Sequence, residues 1–166
     1  MSKHKEKEEK TNVMRVLEQK KIPYTAHAYE HEEGVAVDGV TVAQSLGQDP
    51  EQVFKTLVAR GTSKGIYVFV LPVAESLDLK KAARAVREKS IEMVAVKEIN
   101  GLTGYIRGGC SPIGMKKQYP TVFHETAEIV DSIMVSAGRI GLQVELEPAA
   151  LIELVGGETA DITVEA

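Results

Sequence analysis

Residues 53–71 read VFKTLVARGTSKGIYVFVL and decide the fold, because two apolar runs flank a short polar turn. The runs at 53–58 and 66–71 are rich in the β-branched and aromatic residues that favour strands. Between them lies a turn from Gly61 to Gly65, which is typical of a connection between adjacent strands. This stretch therefore predicts a β-hairpin.

Lys55 is the unusual residue of this hairpin. Alternation along the first strand places it on the same face as Val53 and Leu57. Such a lysine often packs its aliphatic stem and extends its ammonium group into water. Alternatively, the ammonium group binds an anion or offsets charge that develops on a reacting carbonyl. The residues alone leave both interpretations open.

Helix and strand signals continue on both sides of the hairpin. Thr11 is a helix N-cap candidate, Ser76 or Asp78 is another, and Asp49-Pro50-Glu51 has the cap and proline of a helix start. Gly47 and Gly156-Gly157 are typical helix ends. The patterns predict helices near residues 11–22, 41–46, 79–86 and 148–154, and strands at 24–31, 121–124, 132–136, 143–147 and 161–164.

This order of elements predicts an α+β fold. The strands come in adjacent hairpins and are mixed with helices, without a regular βαβ alternation. We expect a mixed, mainly antiparallel sheet, or a partly closed barrel, with flanking helices. Residues 11–166 then form one domain, and residues 1–10 form a charged, flexible lead-in.

Composition indicates a soluble globular domain. The chain has 166 residues, of which 43% are apolar and 27% are charged. Cys110 is the only cysteine, so an intrachain disulfide and a zinc site made of thiolates are both excluded. Residues 1–10 lack the apolar centre of a signal peptide, and we find no segment that could span a membrane. We therefore expect a cytoplasmic protein.

The net charge of −4 is unevenly distributed along the chain. Residues 122–166 carry nine acidic side chains and only one basic residue, Arg139, so residues 1–121 have an excess of four positive charges. This excess permits contact with RNA but is far weaker than in a dedicated nucleic-acid-binding protein. We expect no DNA partner.

Residues 104–117, GYIRGGCSPIGMKK, form a loop that is rich in glycine and positive charge. Glycines allow backbone N–H groups to approach a ligand closely, and Arg107, Lys116 and Lys117 favour a nearby anion. A surface turn between two strands is the plainer interpretation. Composition does not decide between the two.

Three segments together resemble the YbaK group of aminoacyl-tRNA deacylases: residues 53–57 (VFKTL), residues 104–114 with their GGCSPIG core, and residues 136–138 (SAG). Their order and spacing agree with that group from about residue 12 to residue 162. The resemblance implies an enzyme that releases cysteine from mischarged tRNA(Pro). It also implies the acceptor end of tRNA(Pro) as a partner and a complex with prolyl-tRNA synthetase. No cofactor or metal is expected.

The resemblance and the residue types together suggest a site. Lys55 supplies the cation, and backbone amides of Gly109, Cys110 and Ser111 stabilise a developing oxyanion. Tyr29 is a candidate ligand contact, although Tyr24 competes for that role. The expected substrate-binding residues are Tyr29, Phe54, Arg107, Gly108, Pro112, Gly114, Ser136, Ala137 and Gly138.

The expected chemistry needs no protein nucleophile. No histidine lies close to Cys110 in the chain, so nothing in the sequence marks its thiol as activated. The family resemblance implies that the thiol of the bound cysteine attacks its own ester and forms a thiolactone. Two alternatives remain: a deacylase for alanine or another small amino acid, and a non-catalytic module that binds an aminoacyl nucleotide. Phosphate-loop, dinucleotide-binding and zinc-hydrolase motifs are missing from the sequence.

Overall fold

The computed structural model describes residues 10–165. The predicted lead-in, except for Lys10, lies outside these residues. The helices are α1 (Asn12–Gln19), α2 (Gly39–Leu46), α3 (Leu79–Ala85), α4 (Val96–Thr103) and α5 (Pro148–Val155), with a 3₁₀ turn at Glu125–Glu128. The strands are β1 (Tyr24–Ala28), β2 (Phe54–Gly61), β3 (Ile66–Pro72), β4 (Ile91–Met93), β5 (Thr121–His124), β6 (Ile133–Arg139), β7 (Leu142–Leu146) and β8 (Glu158–Ala160).

The predicted hairpin is confirmed and lies at the centre of a five-stranded sheet in the order β4-β2-β3-β5-β8. Strands β2 and β3 are antiparallel, with Lys55 opposite Leu71. Strand β4 is antiparallel to β2, whereas β5 and β8 continue the sheet in parallel. Helix α3 packs on one face of the sheet through Ala82 and Ala83.

A second, antiparallel sheet has the order β1-β7-β6. A bridge between Val53 and Met134 brings its last strand beside the start of β2. The two sheets share a core in which helices α1 and α5 also bury their apolar faces. The fold is the predicted α+β class with mainly antiparallel pairing, but the two sheets do not close into a barrel.

Helix termini form where the sequence supplies caps. Thr11 Oγ1 accepts from Met14 N, Asp38 Oδ2 accepts from Thr41 N, and Asp78 Oδ1 accepts from Lys80 N and Lys81 N. Gly47 and Gly156 end their helices in the left-handed conformation. Among residues 10–165, no helix is long and apolar enough to cross a membrane.

The structure corrects three expectations about local structure. Asp49-Pro50-Glu51 forms a turn rather than a helix start, and Asp49 Oδ1 accepts from Glu51 N. The predicted strand at 24–31 ends at Ala28. The predicted last strand at 161–164 is also wrong, because the last strand, β8, lies at 158–160 instead.

The segment after β8 is extended but does not continue the ladder. Ile162 N donates to the ring of His124, and Thr163 forms only an isolated bridge with Leu77. Its carbonyl oxygen accepts from Lys81 Nζ. Side chains of His124 and Lys81, together with backbone groups of Ser76 and Asp78, therefore satisfy the backbone groups of this segment.

Candidate active site

A cavity of about 720 Å³ opens between β2 and the second sheet. Strand β3 pairs with β2 along its length, whereas β4 pairs with it only at residues 59–61, so no described strand pairs with residues 54–58 on the β4 edge. These residues line the cavity. The start of α2, the β4–α4 segment, the loop at 107–110 and the facing parts of β6 and β7 complete the walls. Parts of the chain that are distant in sequence therefore converge on this space.

Lys55 lines this cavity from β2. Its side chain is partly buried, and Nζ donates to the carbonyl oxygen of Val73 at 3.4 Å. Burial lowers the pKa of the ammonium group, and the negative charges of Asp38 and Glu75 partly oppose that shift. Within residues 10–165, Lys55 has no carboxylate at ion-pair distance.

Several other predicted site residues line the same cavity: Tyr29, Phe54, Arg107, Gly108, Cys110 and Ser136. Tyr29 rather than Tyr24 is the tyrosine at this location. The hydroxyl of Tyr24 donates instead to Glu18 at 2.7 Å, and the pKa of Tyr24 is raised to about 12 by burial and by that carboxylate. Arg107 is exposed and forms no ion pair with a described residue.

The glycine-rich loop is held in place by its own buried groups. Tyr105 is buried, and its hydroxyl donates to the carbonyl oxygen of Ile113 at 2.5 Å across the loop. A Cβ atom on Gly109 would come within 2.8 Å of Arg139 Cα. A Cβ atom on Gly108 would lie 2.6 Å from the Cβ of Ala36. These two glycines therefore allow the loop to pack closely against its neighbours.

The amides of this loop differ in availability. Gly109 N donates to Ile106 O at 2.9 Å, so its hydrogen atom is used inside the loop. The N–H groups of Gly108, Cys110 and Ser111 have no acceptor among the described residues. Gly108 and Cys110 also line the cavity. They are the best-placed candidates for an oxyanion hole, which stays a prediction.

Cys110 is only partly accessible, and its surroundings keep its thiol protonated. Burial raises its pKa from 9.0 to about 11, although a contact with Thr103 acts in the opposite direction. The thiolate is the nucleophilic form of cysteine, and a raised pKa keeps its population low at neutral pH. Cys110 is thus poorly suited to attack an ester.

Comparison with known proteins identifies the family. The model of the family described as "Aminoacyl-tRNA editing domain" matches residues 33–154. The chain belongs to this family. It is 46% identical over 159 residues to the Enterococcus faecalis protein named "Putative Cys-tRNA(Pro)/Cys-tRNA(Cys) deacylase EbsC", covering 96% of each chain. The resemblance that the sequence motifs indicate is thereby confirmed.

Solved structures support the fold of this editing domain. A structure described as a "putative trans-editing enzyme for prolyl tRNA synthetase" superposes with a TM-score of 0.78 at 24% identity, over 95% of this chain and all of that one. The hypothetical protein APE2540 superposes with a TM-score of 0.82 at 20% identity, over 93% of this chain and all of that one. Because both sequence identities are below 25%, these two similarities support the fold alone.

Several predicted site residues of the editing domain do not line the cavity. Ser111 and Pro112 are buried, and Ser111 Oγ accepts from Ile113 N. Ala137 belongs to the core. The glycines at 114 and 138 have positive φ angles and pack beside Tyr105. The residues away from the cavity wall are Gly109, Ser111, Pro112, Gly114, Ala137 and Gly138.

The cavity also contains polar residues that sequence reasoning missed. Thr56 lines it, and its buried hydroxyl has no hydrogen-bond partner among the described residues. Gln143 lines it too, and its Oε1 accepts from Gln48 Nε2. Asp38 combines a place in the wall with its role as a helix cap. None of the three stands out in the sequence by residue type or spacing, because each is an ordinary polar residue until the fold brings it to the cavity.

An unpartnered buried hydroxyl is a functional signal. Leaving such a group without a hydrogen bond costs roughly 1–3 kcal/mol, so native structures rarely retain one without a reason. Thr56 is therefore a good candidate for contact with a bound ligand.

One group of possible metal ligands occurs in the described part of the chain, at His124, Glu125 and Asp161. None of the three lines the cavity. Asp161 pairs with Lys81 at 2.9 Å, and the imidazole of His124 accepts from Ile162 N. Existing partners thus occupy two of the three side chains.

Proposed function

We propose that this protein removes cysteine from mischarged tRNA(Pro). The observation that carries the proposal is Lys55 in the cavity wall, whose ammonium group has no carboxylate partner among residues 10–165. The loop amides of Gly108 and Cys110 border the same space. An aminoacyl ester on a ribose beside phosphate groups needs such a cation and such donors.

The electrostatic state of Lys55 supports a role in binding an anion. Burial disfavours its charge, as the lowered pKa shows. A substrate that brings negative charge near Nζ would offset this cost. The phosphate oxygens near a tRNA 3′ end, and the ester carbonyl oxygen as it becomes an oxyanion during reaction, meet that requirement. Arg107 at the cavity edge adds a second positive charge for a phosphate group.

The proposed reaction uses the substrate's own thiol. Its sulfur forms a bond to the ester carbonyl carbon, and the bond from that carbon to the ribose oxygen breaks. The proton of the thiol ends on the ribose oxygen, so tRNA leaves with a free hydroxyl group and cysteine leaves as a thiolactone. Water then opens the thiolactone to cysteine. Intramolecular attack can reach an effective molarity on the order of 10⁵ M or more, which removes the need for an enzymatic nucleophile.

A partner protein can supply the contacts that distinguish tRNA(Pro) from other tRNAs. The Enterococcus relative is named for both Cys-tRNA(Pro) and Cys-tRNA(Cys), which share the amino acid but not the tRNA. We propose that the cavity binds the cysteinyl group and the 3′ end of the tRNA. A complex with prolyl-tRNA synthetase then directs the activity to tRNA(Pro).

The test compares three esters on the same tRNA. We expect the purified protein to deacylate Cys-tRNA(Pro) at least tenfold faster than Ala-tRNA(Pro) or Ser-tRNA(Pro), because only cysteine carries the attacking thiol. Equal rates for cysteine and alanine would refute thiol assistance and favour a deacylase for small amino acids. Binding of aminoacyl-tRNA without turnover would instead favour a non-catalytic module.

Adding prolyl-tRNA synthetase tests the partner. We expect it to accelerate cleavage of Cys-tRNA(Pro) but not of Cys-tRNA(Cys). An unchanged ratio of the two rates would contradict the proposed complex.

A further inference from the structure

Two apolar residues at the cavity mouth have no role in the proposed chemistry. Met93 and Val96 both line the cavity, yet they are 42% and 56% exposed. We call these two residues the apolar rim. They belong to β4 and to the first position of α4, and Val94 between them is buried and fixed by a hydrogen bond from its N–H to Val58 O. The rim is therefore an apolar surface at the boundary of cavity and solvent, and its backbone is anchored to β2 through Val94.

The size of the cavity exceeds what an amino acid requires. Clefts of about 300–1,000 Å³ hold ligands with the dimensions of a drug or a nucleoside, and this one measures about 720 Å³. A cysteinyl group would fill only part of it. The remaining space must accommodate the portion of the substrate to which the cysteine is attached.

The chemistry of the substrate determines what that portion is. Every aminoacyl-tRNA carries its amino acid on the ribose of a terminal adenosine. If the ester lies against Lys55 and the loop amides, the ribose and the adenine extend from there toward the mouth. Adenine is uncharged and flat, and apolar side chains at the mouth suit its face better than charged ones.

We propose that Met93 and Val96 hold the adenine ring of the terminal adenosine, and this rests on the proposed function. The positive charges beside this surface support a nucleotide as its occupant. Arg107 lines the same cavity and is exposed, and Lys97 directly follows Val96 and is exposed as well. The 5′ phosphate of the terminal adenosine would have a cation within the same wall, and a purely apolar protein partner would not use one.

The experiment combines variants with a change in the substrate. The variant Met93→Ser/Val96→Ser removes the apolar rim. Val164→Ser is the matched control, because Val164 is 46% exposed and does not line the cavity. Each protein is assayed without synthetase on Cys-tRNA(Pro) and on the same tRNA whose terminal nucleotide lacks its base. Melting temperatures verify that all variants are folded.

We expect the wild-type protein to lose about tenfold in kcat/KM when the terminal base is missing, since contacts to one base contribute on this scale. The rim variant should lose about tenfold on the normal tRNA and nothing further on the tRNA without the base. Val164→Ser should behave as the wild type on both substrates.

Three results would overturn the inference while leaving the proposed function intact. They are a wild-type protein that cleaves both tRNAs equally, a rim variant that cleaves normal tRNA at the wild-type rate, and a rim variant that still loses activity when the base is removed. A wild-type protein that cleaves neither tRNA would refute the proposed function itself. Failure of the adenine contact and failure of the proposed deacylase function therefore give different results.

Discussion

Lys55 illustrates how a residue can be unfavourable for folding and suited to function. Its ammonium group is partly removed from water, and the described residues offer it one carbonyl oxygen but no ion pair. Folding proceeds despite this cost because the rest of β2 pairs with β3 and buries apolar side chains. Partly buried charged groups without an ion-pair partner are characteristic of binding sites.

The lowered pKa of Lys55 predicts a specific pH dependence of activity. The ammonium group should lose its proton below pH 10.5, the value for an ordinary lysine. The single-turnover rate on Cys-tRNA(Pro), corrected for spontaneous hydrolysis, should rise as the substrate thiol ionises near pH 8.5. It should then fall as Lys55 is deprotonated. A rate that keeps rising through pH 10.5 would show that the charge of Lys55 is not required.

The same shift predicts an effect on stability. Because the pKa is lower in the folded state than in the unfolded chain, the charged lysine destabilises the fold at neutral pH, and this penalty fades as pH rises toward the unfolded value. Lys55→Met should therefore stabilise the protein at pH 7, by only about a few tenths of a kcal/mol because the ammonium group is still partly screened by water, and by less above pH 10. Chemical denaturation at the two pH values measures this. A variant that is less stable than the wild type at pH 7 would contradict it.

Cys110 provides the opposite case, a reactive residue type in an unreactive environment. Cys110→Ala should retain most of the deacylation rate, since the pKa of about 11 keeps the thiol protonated. Its labelling by iodoacetamide at pH 7 should be slow in the native wild-type protein and fast after unfolding. An activity loss of about 100-fold or more in a folded Cys110→Ala protein would instead indicate a protein nucleophile.

At the scale of elements, the glycine-rich loop depends on close packing. Gly109→Ala should destabilise the protein by about 1–3 kcal/mol, because its Cβ would come within 3.0 Å of backbone atoms of Arg139 and Ile140. Gly101→Ala is the matched control. Gly101 lies in α4 with no atom near the position of a Cβ, so this change should stabilise by up to about 1 kcal/mol. Thermal unfolding of both variants provides the comparison, and equal effects would refute the packing argument.

Element prediction succeeded where local signals were strong. Alternating apolar residues around Gly61–Gly65 predicted the β2–β3 hairpin, and Asp78 was a correctly predicted cap candidate. Strand β4 and helix α4 were not predicted. Strand β4 has only three residues, and α4 begins after Ala95, which offers no side-chain cap. Their positions depend on contacts with β2, which is distant in sequence: β4 pairs with residues 59–61, and Glu98 of α4 forms an ion pair with Arg60.

The site, like the fold, could be predicted only where the sequence carries a strong local signal. Lys55 and residues 104–114 stand out because their residue types are unusual in their contexts. Thr56 and Gln143 do not, since a threonine or glutamine in a strand is ordinary until the fold shows that it lines a cavity. Likewise, the sequence alone could not reveal that Gly109 N donates within the loop while Cys110 N does not.

At the scale of the whole molecule, the site lies where two sheets meet without closing. The bridge between Val53 and Met134 joins them at one point, and the cavity opens beside it. Strand β2 contributes Lys55, the second sheet contributes Ser136 and Gln143, and the glycine-rich loop contributes Gly108 and Cys110. A closed barrel would have paired the edge of β2 that the cavity now exposes.

The most direct test of this account is the rate of cysteine release from Cys-tRNA(Pro) by Lys55→Ala, measured under single-turnover conditions beside the wild type. The account predicts a loss of about 100-fold or more, comparable to removing one donor from an oxyanion hole, with the melting temperature unchanged or raised. A folded Lys55→Ala protein that releases cysteine within about threefold of the wild-type rate would contradict the central role of Lys55.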